Sequence, residues 1–227
     1  IIDDLIITKI SDTKFFIVLN AGCKEKDEAW IRKNLPSNIS FTELADRSLI
    51  AVQGEKAEQV LNEFVSDANL ADLPYMNIRT YKLKNGEEVF IGRTGYTGED
   101  GFEVSIKNSA APKFWLDLSA QEAVKPIGLG ARDSLRLEAG YPLYGHDLDD
   151  TTSPIEAALG WVVSKTNLNF IGSERVIKEK AEGAKRKRIG VKLLDRGIAR
   201  EGAEVRKDGK KIGFLSSGGF SPNLKVS

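Results

Sequence analysis

The stretch RTGYTGEDGFEV (93–104) gathers three glycines, three acids, a tyrosine and a phenylalanine into one short run. Glycines so crowded mark a backbone that turns sharply or lets another group come close. A phosphate-cradling loop would end in Gly-Lys-Ser/Thr, and a dinucleotide fingerprint would open a helix. Here Gly95, Gly98 and Gly101 lead into the strand-like FEVSI, and Glu99, Asp100 and Glu103 would repel a phosphate. The acids also lack the spacing of an EF-hand calcium loop. Two readings stay open. A tight hairpin loop accounts for the glycines alone. A site for an uncharged or cationic small molecule also accounts for Tyr96 and Glu103, because a carboxylate accepts two parallel N–H bonds from a guanidine-like or aminopyrimidine edge.

Three other places carry groups able to do chemistry. In IIDDL (1–5) the adjacent Asp3 and Asp4 lie in a strand-like run, where neighbours point to opposite faces. One acid therefore faces inward, where it must be paired or functional, and alternation does not say which. Arg132 and Arg136 stand four apart on a helical pattern, so either local acids or an acceptor-rich ligand offset their like charge. YGHDLDD (144–150) holds the single histidine, His146, among three aspartates. These residues are consecutive on a loop, with no second histidine and no i, i+4 spacing, so a solvated acidic loop is expected rather than a metal site. Cys23, the one cysteine, excludes an internal disulfide and reads as a buried structural thiol.

The elements that must position these groups are legible in outline. IIDDLIITKI and FFIVLN (15–20) alternate like strands, and KEKDEAWIRKN (24–34) follows with helical spacing of Ala29, Trp30 and Lys33. LIAV (49–52) predicts a strand. EKAEQVLNEFV (55–65) predicts a helix with Ala57, Val60, Leu61, Phe64 and Val65 on one face. Asn85-Gly86 between two strand-like runs predicts a hairpin over 76–92. FEVSI (102–106) then predicts a strand, and 111–118 and GLGARDSLRLEAG (128–140) predict helices. SERVIKEKAEG (173–183) reads as an amphipathic helix capped by Ser173 and stopped by Gly183. RIGVKLL, AEVRKDGKKIGFL and SSGGFSP read as short strands of a β domain. The whole is α+β with antiparallel pairs, without the βαβα rhythm of a doubly wound sheet.

Lysine plus arginine equals aspartate plus glutamate at 33 each in 227 residues, so net charge points to neither nucleic acid nor membrane. The run KRKR (185–188) is expected to be a solvated face and a domain boundary. No apolar run approaches the roughly 20 residues of a membrane span, and no signal peptide is evident. The chain starts inside a strand pattern and stops just after a turn, as a piece of a longer protein would.

Six stretches, IIDDLI, VLNAGCKEKD, RTGYTGEDGFE, GLGARDSLRLEAGYPLYGHDLDD, TSPIEAALGWVV and SSGGFSPNL, closely resemble in that order the T-protein family of the glycine cleavage system. The resemblance runs through essentially the whole chain. It implies a tetrahydrofolate-dependent aminomethyltransferase with no metal, whose partner is the lipoylated H-protein. It implies an α+β, multi-domain fold, a cloverleaf of folate-binding domains around a cavity. Residues 1–183 would form the folate-binding region and 187–227 the beginning of a C-terminal β-barrel domain. The family's essential aspartate falls on Asp4, with Asp3 as the lesser candidate. Glu103 falls where the family grips the pterin's 2-amino and N3 hydrogens, Tyr96 lines the pterin slot, and Arg132 is a substrate-binding arginine. Asn20 and Tyr141 are further folate or substrate contacts. The family also uses an N-terminal tyrosine and a C-terminal arginine that lie outside this sequence. The implied compartment is the cytoplasm in a bacterium, or the mitochondrion in a eukaryote. Relatives on the same folate pocket include demethylases of sulfonium or N-methyl substrates and a non-catalytic branch. The demethylases are expected to depart at the glycine loop and the Asp-Asp pair, which this sequence does not. A cysteine in the glycine loop marks the non-catalytic branch, and residues 93–104 contain none.

Overall fold

The computed structural model describes residues 1–66 and 69–227. In chain order the elements are β1 (Ile6–Ser11), β2 (Lys14–Val18), α1 (Lys24–Asn34), β3 (Arg47–Gln53), α2 (Ala57–Asn62), β4 (Ile78–Lys82), β5 (Glu88–Gly92) and β6 (Gly101–Lys107). Then follow α3 (Ala111–Ser119), α4 (Leu129–Glu138), α5 (Ser173–Glu182), β7 (Glu204–Lys207) and β8 (Lys210–Phe214). These fall into two compact units. The first comprises Ile1–Ile7, Phe16–Leu35 and Gly140–Ser227, and the second Thr8–Phe15 and Pro36–Ala139.

The second unit is built on an antiparallel sheet of order β3-β6-β5-β4. Alternation along β6 sends Phe102, Val104 and Ile106 to one face, all fully buried, and leaves Glu103 and Ser105 for the other. The apolar face packs with Ile50, Val89 and Ile91 from the neighbouring strands, with Val60 and Leu61 of α2, and with Phe114 and Leu118 of α3. Phe64 meets Phe114 edge-on at 5.5 Å. Each such aliphatic or aromatic burial contributes about 1.5–3 kcal/mol. The hairpin β4–β5 turns at Asn85-Gly86, where the Asn85 side chain accepts the Glu87 N–H at 3.0 Å. The helix after β3 is shorter than its periodicity suggests. It ends at Asn62, and Val65 instead forms a bridge to Leu83.

In the first unit, polar groups do much of the joining. Glu156, 8% exposed, holds Arg175 at 2.8 Å and Arg186 at 3.0 Å and accepts the Ser153 N–H at 3.0 Å. Arg188 donates to the carbonyls of Ala157 and Gly140 at 3.0 Å each. The run KRKR is therefore not simply a solvated face, because two of its arginines tie chain segments together. The helix α5 does stop at Gly183, but its N-cap is Gly172, and Ser173 makes no capping bond. RIGVKLL and SSGGFSP form no strand. Between them only β7 and β8 pair, turning at Asp208 and Gly209, whose φ angles of 50° and 77° suit a tight hairpin. The described residues from 187 on close no barrel.

Candidate active site

The Asp-Asp pair lies before β1, not within it, since that strand begins at Ile6. The expected split of the two acids onto opposite faces does not occur. A single side chain collects both: the Asn20 amide, just past β2, donates to Asp3 Oδ1, Asp4 Oδ1 and the Asp4 carbonyl, each at 3.0 Å. Burial would raise the Asp3 pKa. Hydrogen bonds from Asp27, from Asn20 and from the backbone N–H groups of Asp4 and Asn20 outweigh it and hold Asp3 below the usual carboxylate range.

Beneath this pair stands Asp27 of α1, a residue that the sequence patterns did not single out. It is 2% exposed and is the buried residue of its helix. Its spacing, four after Cys23 and three before Trp30, was the available signal of an inward face. Burial, the bond to Asp3 and repulsion from the Asp3 charge push its carboxyl up to about 7. Nearby, the Lys26 ammonium donates to Tyr144 Oη and the Ile2 carbonyl, and reaches Asp150 at 3.4 Å. Cys23 caps α1 and is half-buried; burial, and then the Asp3 charge, raise its thiol.

The acidic loop is solvated, with His146, Asp149 and Asp150 exposed, and its groups are also paired. His146 Nδ1 pairs with Glu201 at 2.9 Å, and Ser217 donates to Asp147 at 2.8 Å. Asp149 accepts from the hydroxyls and backbone N–H groups of Thr151 and Thr152, which lower its carboxyl to about 2. Tyr141 lies half-buried just before this loop.

In the second unit the glycine loop is explained by a residue far earlier in the chain. Gln53, the last of β3, threads its side chain through the loop and donates to the carbonyls of Thr94 at 3.0 Å and Phe102 at 3.1 Å. A Cβ on Gly95 would sit 1.9 Å from the Gln53 amide oxygen, and one on Gly101 would sit 2.5 Å from it. Gly98 supplies a φ of +78°, which side-chain-bearing residues avoid. Asp100 clamps the loop base through a two-pronged pair with Arg93 at 2.6 and 2.9 Å, so it is more than a solvated turn residue. That pairing, chiefly, keeps the Asp100 carboxyl below its ordinary range. Glu99 is exposed.

Glu103 stands on the sheet face opposite the core. Its partners across the strands are Ala51 and Gly92, and it is half-buried. The Thr94 hydroxyl donates to Glu103 Oε2 at 2.5 Å and so sets the plane of the carboxylate. Arg132 lies over the Tyr96 ring at 4.5 Å, a cation–π contact. Its helical neighbour Arg136 is 2% exposed and pairs with Asp133 at 2.7 Å, so the two arginines have different environments. Of the residues singled out from sequence, Asp4 and Asn20 are brought together in the first unit, which also holds Tyr141. Tyr96 and Arg132 touch in the second, which also carries Glu103. Gln53, Thr94 and Asp27 are additions from the structure.

The family model described as the GCVT N-terminal domain matches residues 1–167, and that of the glycine cleavage T-protein C-terminal barrel domain matches 186–227. An aminomethyltransferase of Clostridium botulinum is 43% identical over 230 aligned residues, and one of Alkaliphilus oremlandii is 40% identical. Each alignment covers 99% of this chain and 62% of the relative. The crystal structure of glycine cleavage system aminomethyltransferase T from Bartonella henselae superposes with a TM-score of 0.89 at 36% identity, again over 99% of this chain and 62% of that one. The chain thus spans a little over three-fifths of the length of these relatives.

Proposed function

The chain belongs to the glycine cleavage T-protein family, and from that premise we propose that the protein containing it transfers a one-carbon unit to tetrahydrofolate. The donor is the aminomethyl group on the dihydrolipoyl arm of H-protein. Its carbon leaves sulfur and nitrogen and ends bridging folate N5 and N10. The two folate N–H protons go to the departing ammonia and to the freed thiol, so the step balances without oxidant or metal. In this reading residues 1–183 form the folate-binding region and 187–227 begin the barrel domain. The relatives named above are bacterial, which favours the cytoplasm as the compartment.

The observation that carries the proposal is the grip of Asn20 on Asp4, through its side-chain and backbone oxygens at once. A carboxylate fixed this way can orient the attacking amine and stabilise the iminium-like positive charge that develops at the carbon, without reorganising as it does so. Glu103 is the candidate for the pterin's amino edge. Its plane is set by Thr94, and its cross-strand neighbours are the small residues Ala51 and Gly92. Tyr96 and Arg132, which touch each other, are the candidates to flank the pterin ring. The test is ammonia release from aminomethylated H-protein by the full-length protein. Release that depends on added tetrahydrofolate is expected; release at the same rate without it would reject the transfer reaction.

A further inference from the structure

The mechanism proposed above uses Asp4 and leaves a second buried acid unemployed. Asp27 is 2% exposed, and neither of its carboxyl oxygens meets an N–H or hydroxyl donor among the described residues. The same is true of Asp3 Oδ2, the oxygen of Asp3 not taken by Asn20. Three buried carboxylate oxygens with no donor would be costly to desolvate. They come from two residues that face each other within hydrogen-bonding reach. One proton shared between the two residues gives two of these three oxygens a hydrogen bond.

We propose that Asp27 is a positioning residue that stands protonated and donates its carboxyl hydrogen to Asp3, so that Asp3, through the shared amide of Asn20, fixes the direction of Asp4. The proton sits on Asp27 and not on Asp3, because Asp3 already accepts the Asn20 amide and Asp27 accepts nothing. The charged groups packed around Asp27 divide two against one in favour of the proton. From the N-terminal segment comes the Asp3 carboxylate, and from the loop after α4 comes Asp150, both of which disfavour a second negative charge. From α1 itself comes Lys26, the one neighbour that favours ionised Asp27. Its ammonium is engaged by Tyr144 and Asp150 instead. Cys23 is a neutral thiol there.

The chain of contacts is short. Asp27 holds Asp3 Oδ2, Asp3 Oδ1 takes one bond from Asn20, and the same amide holds Asp4 twice. Loss of the Asp27 proton would place two carboxylates face to face. Asp3 would swing away, and Asn20 and Asp4 would lose their fixed geometry. The device rests on the proposed role of Asp4, but its first link can be read without any turnover.

The experiment uses the full-length protein, with Asp27→Asn and Asp27→Leu variants. An infrared carbonyl band of a protonated carboxylic acid is expected in the wild type at mildly acidic pH. It should fade at mildly alkaline pH and be missing from Asp27→Asn. Folate-dependent ammonia release by the wild type should decline on the alkaline side. Asn donates an N–H to Asp3 at every pH, so Asp27→Asn should keep activity and lose that alkaline decline. Asp27→Leu should lower kcat by roughly ten- to a hundredfold with little change in KM for tetrahydrofolate. No Asp27-dependent band, or an alkaline decline unchanged in Asp27→Asn, would overturn the proposal. A wild-type band without folate-dependent release would support the Asp27–Asp3 bond while rejecting the transfer reaction, so the two failures are distinguishable.

Discussion

Glu103 has Ala51 on one side and Gly92 on the other, and the Thr94 hydroxyl on one of its oxygens. A carboxylate so placed is oriented and half-buried, which suits recognition of a pair of N–H donors. Replacing it by alanine removes a charged acceptor and leaves ligand donors unpaired. Glu103→Ala should therefore weaken tetrahydrofolate binding by more than the ~1 kcal/mol of an ordinary hydrogen bond. Glu103→Gln should fall between, since its amide keeps one acceptor and presents hydrogens where the ligand also has them. Equilibrium titration of folate fluorescence would check both, and unchanged affinity in the alanine variant would remove Glu103 from the pterin contacts. Residue type and neighbourhood singled out Glu103 in the sequence, and strand alternation puts it on the face opposite the core. The aspartates were half readable. Their types drew notice, but alternation assumed a strand from the first residue, whereas β1 begins at Ile6 and both acids meet one amide.

At the scale of elements, the glycine loop owes its composition to β3. The sequence showed that residues 93–104 needed close approach but could not show what approached. The approaching group is Gln53, which arrives through the register of β3 against β6, with Gln53 opposite Gly101. Gly101→Ala or Gly95→Ala would drive the Gln53 amide off two carbonyls, at a cost of about 1–3 kcal/mol in stability. In a Gln53→Ala background those bonds are already absent, and the added methyl group should cost much less. Chemical denaturation across this double-mutant cycle tests the account, and strictly additive effects would contradict it. Elements with local signals were legible: the β4–β5 hairpin at Asn85-Gly86, and the stop of α5 at Gly183. RIGVKLL was not, because strand propensity counts only when a partner covers the run. Here Ile189 is 71% and Leu194 96% exposed, with no sheet to bury them.

For the molecule as a whole, two perturbed acids, buried Asp27 and exposed Asp149, predict how stability follows pH. Asp27 has a folded-state pKa raised from 3.8 to about 7, so its contribution is complete below the unfolded value and is lost as pH rises through about 7. Asp149 is lowered from 3.8 to about 2, so its contribution is present above 3.8 and is lost as pH falls toward 2. Unfolding temperature should accordingly decline on both sides of an optimum at about pH 4, falling on the upper side until about pH 7. On that side, a single proton limits the slope to about 1.4 kcal/mol per pH unit. Asp27→Asn should flatten that side and leave the acid side in place. A wild-type curve level from mildly acidic to mildly alkaline pH would contradict the assignment.

The central claim is that the Asp4 charge, held by Asn20, assists transfer to folate. Asparagine at position 4 keeps an oxygen for the Asn20 amide and removes only the charge, so the variant separates chemistry from architecture. The decisive measurement is single-turnover ammonia release from aminomethylated H-protein by full-length Asp4→Asn, alongside its tetrahydrofolate affinity. The account predicts a loss of about 10²–10⁴ in rate with folate affinity close to wild type. Wild-type turnover by Asp4→Asn would contradict it.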